Sequence, residues 1–385
     1  VMIMADNKDK KVLNVPALRF PEFSGEWDEY AIGEILSIGN GRDYKHLHNG
    51  DIPVFGTGGY MTSVDDFLYD GESVFVGRKG TINKPLYYNG KFWTVDTLFY
   101  TYNFTDVLPK FVYCLFQTIN WLKYNEASGV PSLSKATIEK IKVRIPSMDE
   151  QDKLSNLLFL LDKRIEVQNK IIEKYESLIQ AMCDTLIERE TQQVTLSFGD
   201  FGQSYSGLSG KSAEDFGDGY PFITYMNVYQ NQIIDSTDVG LVKINETEQQ
   251  SVVRYGDILL TLSSETPEEV GMGAVYLGET YPLYLNSFCF GIHITDEAKI
   301  YPPFLAYYVS SQSFRKAVYP LAQGSTRFNL QKSDFMKKKF SFPVIEKQRI
   351  IYSFLKNYSD KLIVEKQIMR LLCNQKCYLL RQLFI

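Results

Sequence analysis

Two stretches of about forty residues contain neither proline nor glycine, and they limit what this 385-residue chain can fold into more than any other feature. They run from residue 149 to 190 and from 346 to 385, and each follows a proline, Pro146 or Pro343. A proline favours extended backbone in the residue before it and permits a helix to begin after it. We therefore predict two long helices, each about 60 Å long at ~1.5 Å per residue.

Both stretches have a heptad pattern, the alternating spacing of four and three that is typical of a coiled coil. In the first stretch the heptad positions are Leu154, Leu158, Leu161, Ile165, Gln168, Ile172, Tyr175, Ile179, Met182 and Leu186. In the second they are Ile351, Leu355, Tyr358, Leu362, Glu365, Met369, Leu372, Lys376, Leu379 and Leu383. Each position in the first stretch maps to its counterpart by one shift of 197 residues, and the polar interruption, Gln168 against Glu365, is shared. A shared register with a shared defect indicates an internal duplication.

The two predicted helices carry opposite charge. Residues 149–190 hold 6 basic and 10 acidic side chains, a balance of −4, whereas residues 346–385 hold 8 and 3, a balance of +5. Opposite charge favours pairing within one chain as an antiparallel coiled coil, and ordinary amphipathic helices in separate cores are the alternative. The predicted pairing interface comprises Leu158, Leu161, Ile165, Ile172, Tyr175, Leu355, Tyr358, Leu362, Met369 and Leu372. Apolar residues outside this seam need another partner, either the modules or another subunit: Leu157, Leu160, Ile171, Leu178, Phe354, Ile368 and Leu371.

The segments outside the helices are rich in aromatic residues, which favours strands. The chain contains 26 Tyr and 25 Phe, and these segments read as short strands separated by Gly, Asn and Asp turns. Ser128–Leu133 in the first segment corresponds to Gln323–Phe328 in the second. The sequence therefore predicts an α+β fold with pseudo-two-fold symmetry, in which two similar modules with twisted, antiparallel-rich sheets are separated by two helical spacers. The predicted boundaries are 1–148 and 191–345 for the modules and 149–190 and 346–385 for the spacers.

Motifs that would indicate an enzyme are incomplete. Tyr301-Pro302-Pro303-Phe304 lacks the hydrogen-bond acceptor that an amino-methyltransferase needs at its first position, and Gly210-Lys211-Ser212 lacks the first glycine of a phosphate-binding loop. Three His and five scattered Cys form no zinc-binding pattern. We therefore expect no catalytic residue, no bound metal and no cofactor in this chain.

The cysteines and the hydropathy indicate the compartment. The five Cys are odd in number and form no Cys-x-x-Cys pair, which predicts reduced thiols in a cytoplasmic protein. Cys373 and Cys377 share a face of the second predicted helix, where we expect buried thiols. No apolar run reaches the ~20 residues that a membrane span needs.

Local charge favours a nucleic-acid partner although the net charge is −5. Residues 110–144 have 6 basic and 2 acidic side chains, and residues 311–340 have 7 and 1, so both modules have a basic segment at the same place. Duplex DNA requires a charged face rather than a global excess, and a solvated charge run beside a helix is the alternative. The loop residues that we predict to contact DNA are Arg42, Lys45, His46, Arg78, Lys79, Thr81, Ser132 and Lys135 in the first module. In the second module they are Ser204, Tyr205, Lys211, Thr326, Arg327, Asn329 and Lys332.

Four groups of motifs, together with the order module, helix, module, helix, make the chain resemble the specificity subunits of type I restriction–modification systems. They are Ile145-Pro146…Glu150-Gln151, Phe342-Pro343…Glu346-Lys347-Gln348, the opening Val15-Pro16-Ala17-Leu18-Arg19-Phe20-Pro21-Glu22-Phe23…Trp27, and the pair Val76-Gly77-Arg78-Lys79-Gly80-Thr81 and Ser128-Gly129-Val130-Pro131-Ser132-Leu133. The resemblance covers essentially the whole chain. The second copy departs in detail, with Lys347 between Glu346 and Gln348 and a polar residue, Lys376, in the heptad seam.

The resemblance implies a non-catalytic subunit whose modules are target-recognition domains, each binding one half of an asymmetric, bipartite site in double-stranded DNA. It implies that the helices fix the spacer between the half-sites and dock two modification subunits, which methylate adenine with S-adenosylmethionine. It further implies that restriction subunits, which use ATP and Mg²⁺, join to form the nuclease, and that each module resembles the recognition domain of Taq-type adenine methyltransferases. A non-catalytic coiled-coil adaptor whose modules bind protein is the alternative from another class, and a catalytically degenerate relative of methyltransferases is a third.

Overall fold

The computed structural model describes residues 3–4 and 14–385. It contains mixed helices and mainly antiparallel sheets, so the predicted α+β class is confirmed. The chain divides into two compact units. Unit 1 comprises Val1–Lys170 and Gln367–Ile385, and unit 2 comprises Ile171–Lys366. Both unit boundaries fall inside the two long helices, so each unit contains one module and a part of both helices.

The helices are α1 (Ile32–Ile35), α2 (Pro109–Thr118), α3 (Lys135–Glu139), α4 (Met148–Glu188), α5 (Tyr225–Gln230), α6 (Pro302–Tyr308), α7 (Gln312–Val318), α8 (Lys332–Lys337) and α9 (Ile345–Leu383). The strands of unit 1 are β1 (Ile3–Met4), β2 (Leu18–Arg19), β3 (Asp28–Ala31), β4 (Ser37–Asn40), β5 (Asn49–Gly56), β6 (Gly59–Val64), β7 (Tyr69–Gly77), β8 (Leu86–Thr94), β9 (Leu98–Tyr102) and β10 (Lys142–Ile145). Those of unit 2 are β11 (Gln193–Ser197), β12 (Gly202–Ser206), β13 (Phe216–Ile223), β14 (Val239–Val242), β15 (Ile258–Thr261), β16 (Ser263–Ser264), β17 (Gly273–Val275), β18 (Tyr284–Leu285), β19 (Cys289–Ile294), β20 (Ala322–Gln323), β21 (Phe328–Leu330) and β22 (Lys339–Pro343).

Unit 1 is built on a six-stranded sheet in the order β4-β9-β7-β8-β5-β6, in which only the β5–β8 pair is parallel. Successive side chains of a strand point to opposite faces, and β7 is buried on both. Val74 and Val76 pack into the same cluster as Phe111 of α2, whereas Phe75 packs among aromatic rings that include Phe92. The central strand is therefore covered on each face, which fixes the position of the loop that follows it.

Unit 2 repeats this arrangement on a four-stranded sheet in the order β12-β19-β15-β17, with two three-stranded sheets beside it. Ile258 and Leu260 of β15 pack into the same cluster as Phe304 of α6, whereas Leu259 packs on the opposite face with Cys289. Like β7 in unit 1, β15 in unit 2 is therefore covered on both faces.

The long helices run antiparallel where they meet inside each unit. In unit 1, Asp162 and Lys376 form an ion pair of 2.5 Å, while Leu383 lies in the cluster that contains Leu154 and Leu158. In unit 2, Glu176 pairs with Lys366 at 2.7 Å. None of the heptad positions is exposed in either helix. The two helices begin and end within two residues of the predicted bounds, 149–190 and 346–385.

The cysteines of the second helix do not match the expectation. Cys373 and Cys377 are both exposed, because their positions lie outside the heptad seam. The prediction that they are buried thiols is wrong. The other three cysteines are buried, and none of the five forms a disulfide.

The start of each long helix carries an ion pair, and the polarity of the pair is reversed between the two units. Glu150 of α4 binds the guanidinium of Arg19 through both carboxylate oxygens, at 2.8 Å each. The residue that corresponds to Glu150 by the 197-residue shift is Lys347 of α9, which pairs with Glu190 at 3.4 Å. The acid therefore stands on the helix in unit 1, and the base stands on the helix in unit 2.

Candidate nucleic-acid interface

In unit 1, two loops predicted to contact DNA are joined to each other by backbone hydrogen bonds. The amide of Gly80 donates to the carbonyl of Pro131 at 2.8 Å, and the amide of Leu133 donates to the carbonyl of Arg78 at 2.9 Å. Lys79 and Ser132 form an antiparallel bridge between these bonds. Gly80 has a φ of 94°, a conformation that glycine adopts without strain. The residues from two distant parts of the sequence therefore form one surface.

This surface borders an open cleft of about 880 Å³. Four of the predicted residues line the cleft: Arg78, Lys79, Ser132 and Lys135. Its other walls come from Asn40, Asp96, Thr97, Phe99, Glu126, Ala127, Val130, Leu133 and Ser134, most of which sequence reasoning did not single out. A cleft lined by cations, hydroxyls and amides can bind phosphate and can hydrogen-bond to base edges.

The side chain of Arg78 is held at the cleft before any ligand binds. Its guanidinium carbon lies 6.0 Å from the centroid of the Phe99 ring, and its Nη1 donates to the carbonyl of Asp96 at 3.3 Å. A cation over an aromatic face is attracted by the ring, which reduces the freedom that a bound arginine must lose. Most of its donors remain available, because a guanidinium carries five N–H groups.

Glu126 organises the far wall of the cleft. Its Oε1 accepts hydrogen bonds from the hydroxyls of Thr137 and Ser134, and these bonds hold its pKa below the usual range. Ser134 in turn caps α3 by accepting from the amide of Thr137 at 3.1 Å. This network fixes the start of α3, and with it the position of Lys135. The acidic wall also limits how closely a phosphate can approach from that side.

The loop with Arg42, Lys45 and His46 does not line this cleft. All three side chains are exposed. Trp93 anchors the loop, since its Nε1 donates to the carbonyl of Arg42 at 2.8 Å and its ring lies 5.9 Å from that of His46. Thr81, half-buried, is also absent from the lining of the cleft. Arg42, Lys45 and His46 form a second basic surface of the same unit.

Unit 2 presents the corresponding surface. The amide of Leu330 donates to the carbonyl of Leu262 at 2.8 Å, as Leu133 does to Arg78, and Ser263 pairs with Asn329 as Lys79 does with Ser132. Asn329 therefore occupies the position in unit 2 that Ser132 occupies in unit 1. The two residues are separated by the same 197 positions that relate the long helices.

Two details of the module comparison follow from this pairing. The sequence alignment of Ser128–Leu133 with Gln323–Phe328 is wrong by two residues, because a β20–β21 hairpin stands before the bridge in unit 2. The same shift of 197 places Lys332, at the start of α8, where Lys135 begins α3.

The remaining residues predicted for unit 2 lie around this hairpin or near it. Thr326, Arg327 and Asn329 are exposed, and the guanidinium of Arg327 lies 5.5 Å from the ring centroid of Phe288. The Nζ of Lys332 donates to the hydroxyl of Ser206 at 3.3 Å. Ser204, half-buried, lies on β12, the strand that also carries Ser206.

Two residues of unit 2 are placed differently from the prediction that they contact DNA. Tyr205 is buried, its hydroxyl donates to Asp257 at 2.7 Å, and its ring stacks on His293 with centroids 4.1 Å apart. Burial and the neighbouring Asp257 carboxylate raise the pKa of Tyr205 above its usual range. The Lys211 side chain is 4% exposed and pairs with Glu248 at 2.6 Å. The structure corrects the prediction for both, because their polar atoms are already bound inside the module.

The described part of the chain contains no group of three or more His, Cys, Asp or Glu side chains arranged to hold a metal ion. Across residues 3–4 and 14–385, no helix has the length and apolar character that crossing a membrane requires.

Comparison with known proteins reveals distant relatives of similar length. The chain is 21% identical over 340 residues to a putative type I restriction enzyme specificity subunit of Haemophilus influenzae, covering 80% of each chain. It is 22% identical to the MjaVIII specificity subunit, a type I restriction enzyme protein of Methanocaldococcus jannaschii, covering 95% of this chain and 93% of that one.

Solved structures show the same fold. The S subunit of a type I restriction–modification system from M. genitalium superimposes with a TM-score of 0.61 at 16% identity, covering 96% of this chain and 99% of that one. A chain from a structure describing complex assembly and conformational transition of the type I R-M system gives 0.56 at 14% identity, covering 92% and 96%. The family model for the type I restriction modification DNA specificity domain matches the sequence twice, over residues 24–177 and 194–372. Because these two matches span most of both duplicated halves, the chain belongs to the type I restriction–modification DNA specificity family.

Proposed function

We propose that each module reads one half of an asymmetric, bipartite site in double-stranded DNA, and that the paired helices fix the spacer between the half-sites. The observation that carries the proposal is the repeated surface: Lys79, Ser132 and Lys135 in unit 1 have Ser263, Asn329 and Lys332 as their structural counterparts. The frame is the same in both units, while two of the three positions on it carry different side chains: Lys79 against Ser263 and Ser132 against Asn329. Two similar frames with different side chains suit two different half-sites.

The chemistry of the exposed side chains supports direct reading of bases. An arginine can form two hydrogen bonds with the O6 and N7 of guanine, and an asparagine can form two with the N6 and N7 of adenine. Arg78 stands at the cleft of unit 1, and Asn329 stands on β21 of unit 2. Lys79, Lys135 and the second surface with Arg42 supply cations for phosphate contacts, which position the module without selecting bases.

The exposed apolar side chains on the long helices support docking of other subunits. In unit 1, Leu160 is 68% exposed and Leu371 is 67% exposed, so apolar surface remains outside the heptad seam. Val167 of α4 and Ile363 of α9 are also about half exposed, and apolar surface that extends beyond single side chains typically marks an interaction site. We assign these positions to two modification subunits that methylate adenine and, in a complex that also cleaves, to contacts with two restriction subunits.

We further propose that the cofactors of the complex belong to those partners: S-adenosylmethionine to the modification subunits, and ATP and Mg²⁺ to the restriction subunits. The chain would then act in the cytoplasm, with its thiols reduced, as a recognition subunit without chemistry of its own.

Salt-dependent DNA binding tests the proposal against the adaptor alternative. Each phosphate contact releases counterions, so the affinity of a DNA reader falls steeply with salt, whereas a protein adaptor has no such dependence. Lys79→Ala should weaken binding uniformly across sequences. It should also reduce the magnitude of the negative slope of log K against log salt by about 1. Lys163→Ala, which removes an exposed lysine of α4 away from the cleft, is the matched control and should leave the slope unchanged. A complex without sequence preference on any duplex would refute the function.

Exchange of one module tests whether the two modules read independently. Replacing the module of unit 1 by an unrelated recognition domain should change one half of the methylated site and leave the other half intact. The readout is the set of methylated adenines in the genome of the host strain. A change in both halves would contradict independent reading.

A further inference from the structure

Each long helix begins with a buried glutamine that ties the helix to its own module. Gln151 in the first turn of α4 and Gln348 in the first turn of α9 are both 0% exposed. They correspond by the 197-residue shift. A buried side-chain amide is costly unless its donors and acceptor are bound, so such a residue requires a partner.

The Gln151 amide joins three parts of unit 1. Its Oε1 accepts from the amide of Leu108, the residue that caps α2, at 2.9 Å. Its Nε2 donates to the carbonyl of Pro146 at 2.9 Å and to that of Asp106 at 3.1 Å. Asp106 has a φ of 53°, a backbone conformation that few residues adopt, and the hydrogen bond to its carbonyl helps to hold it there.

The Gln348 amide makes the same connections in unit 2. Its Oε1 accepts from the amide of Tyr301, the residue that caps α6, at 2.8 Å. Its Nε2 donates to the carbonyl of Pro343, the last residue of β22, at 2.8 Å. In both units, therefore, one glutamine bonds the cap of a module helix and the proline that precedes the long helix.

We propose that Gln151 and Gln348 are positioning residues that fix the angle between each module and its long helix, and that this angle makes the complex reject sites with the wrong spacer. The inference rests on the proposed function. A spacer change of one base pair moves a half-site by about 3.4 Å along the duplex and by roughly 35° around it. A module held rigidly on its helix cannot follow that rotation, whereas a module on a loosened junction can.

The test uses the full chain with its modification partner and duplexes that keep both half-sites but lengthen or shorten the spacer by one base pair. The measured quantity is the ratio of methylation rates on the native and altered spacers. Gln151→Met and Gln348→Met preserve the side-chain volume and remove the hydrogen bonds. Each should lower the ratio about tenfold, with base preference inside the half-sites retained. A ratio equal to that of the wild type overturns the inference.

A matched control separates positioning from stability. Ser73→Ala removes buried hydrogen bonds to Thr101 inside the same module, away from the junction. It should destabilise the module without changing the spacer ratio, and an equal fall in the ratio would contradict a role specific to the glutamine. Where a Met variant does not fold, Gln151→Asn replaces it, since the shorter side chain cannot reach residues 108 and 146 together. An unchanged ratio in that variant also overturns the inference.

The two proposals can fail separately. A wild-type complex that methylates no bipartite site refutes the proposed function. A wild-type complex that rejects altered spacers, with glutamine variants that reject them equally well, refutes only the positioning role.

Discussion

The ion pair between Asp162 and Lys376 provides a quantitative test of the helix pairing in unit 1. The two side chains are 26% and 16% exposed, and the pair lies where a lysine replaces an apolar residue in the heptad seam. The Oδ2 atom of Asp162 is buried without a hydrogen-bond partner among the described residues, so the carboxylate depends on this one contact. Removing the lysine would leave a charge that is largely shielded from water.

We expect Lys376→Met to lower the free energy of unfolding by about 3 kcal/mol, the lower end of the range for breaking a buried pair, because about a quarter of the carboxylate side chain still reaches water. With a urea m value of about 2 kcal/mol/M, the midpoint should fall by roughly 1.5 M. The double variant, Asp162→Leu with Lys376→Met, should recover most of the loss, since an apolar pair of similar volume replaces the ions.

Tryptophan fluorescence during urea unfolding measures this effect selectively. The three tryptophans of the chain, Trp27, Trp93 and Trp121, all lie in unit 1. Lys142→Met is the control, because Lys142 and its partner Glu29 lie in the same unit and are 71% and 41% exposed, and an exposed pair contributes little to stability. A double variant as unstable as Lys376→Met alone would refute the reasoning that the unpaired Asp162 carboxylate causes the loss of stability.

Two further predictions concern acid stability and thiol reactivity. Hydrogen bonds from the Lys339 ammonium and from Ser197 hold the pKa of Asp200 well below its usual range. This carboxylate therefore contributes stability above the unfolded pKa of about 4 that is lost as the pH falls through the lower folded value. Asp200→Asn should accordingly flatten the dependence of stability on pH below about 4, measured by circular dichroism, and an unchanged profile would contradict the assignment. For the thiols, Cys373 and Cys377 should react rapidly with an aromatic disulfide reagent in the native protein, whereas burial raises the pKa of the other three cysteines and should make them react only on unfolding. Rapid reaction of more than two thiols would refute this.

The long helices could be predicted from the sequence because their determinants are local. The absence of proline and glycine, the heptad spacing and the preceding proline all act within a few residues of the chain. The duplication could be detected for the same reason, since equal spacing survives where residue identity does not. The shared glutamines fall inside the helix-opening motif, but their bonds to residues 108 and 301 reach across 43 and 47 positions, which no local pattern encodes.

The interface could be predicted only in part, because availability of a side chain depends on distant partners. Lys211 and Arg78 both follow a glycine in a polar loop. Only Lys211, however, has its side chain buried against a carboxylate, that of Glu248, which lies 37 positions later. Tyr205 is buried in a hydrophobic cluster, and its hydroxyl is bound by Asp257, 52 positions away. The cleft of unit 1 draws its walls from residues between 40 and 135, so its shape exists only after the sheet has formed.

The reversed ion pairs at the helix starts have a consequence for how such a gene can be reshuffled. Both partners of each pair, Arg19 with Glu150 and Glu190 with Lys347, lie at the margins of a module rather than inside it. A recombination event that replaces only residues 191–344 imports new base-reading loops and leaves the second pair untouched. A crossover that copies the start of α4 alone over the start of α9, in contrast, would place a glutamate at position 347 opposite Glu190 and bring two acids together. The swapped polarity thus permits inheritance of foreign specificity while disfavouring exchange between the starts of the two long helices.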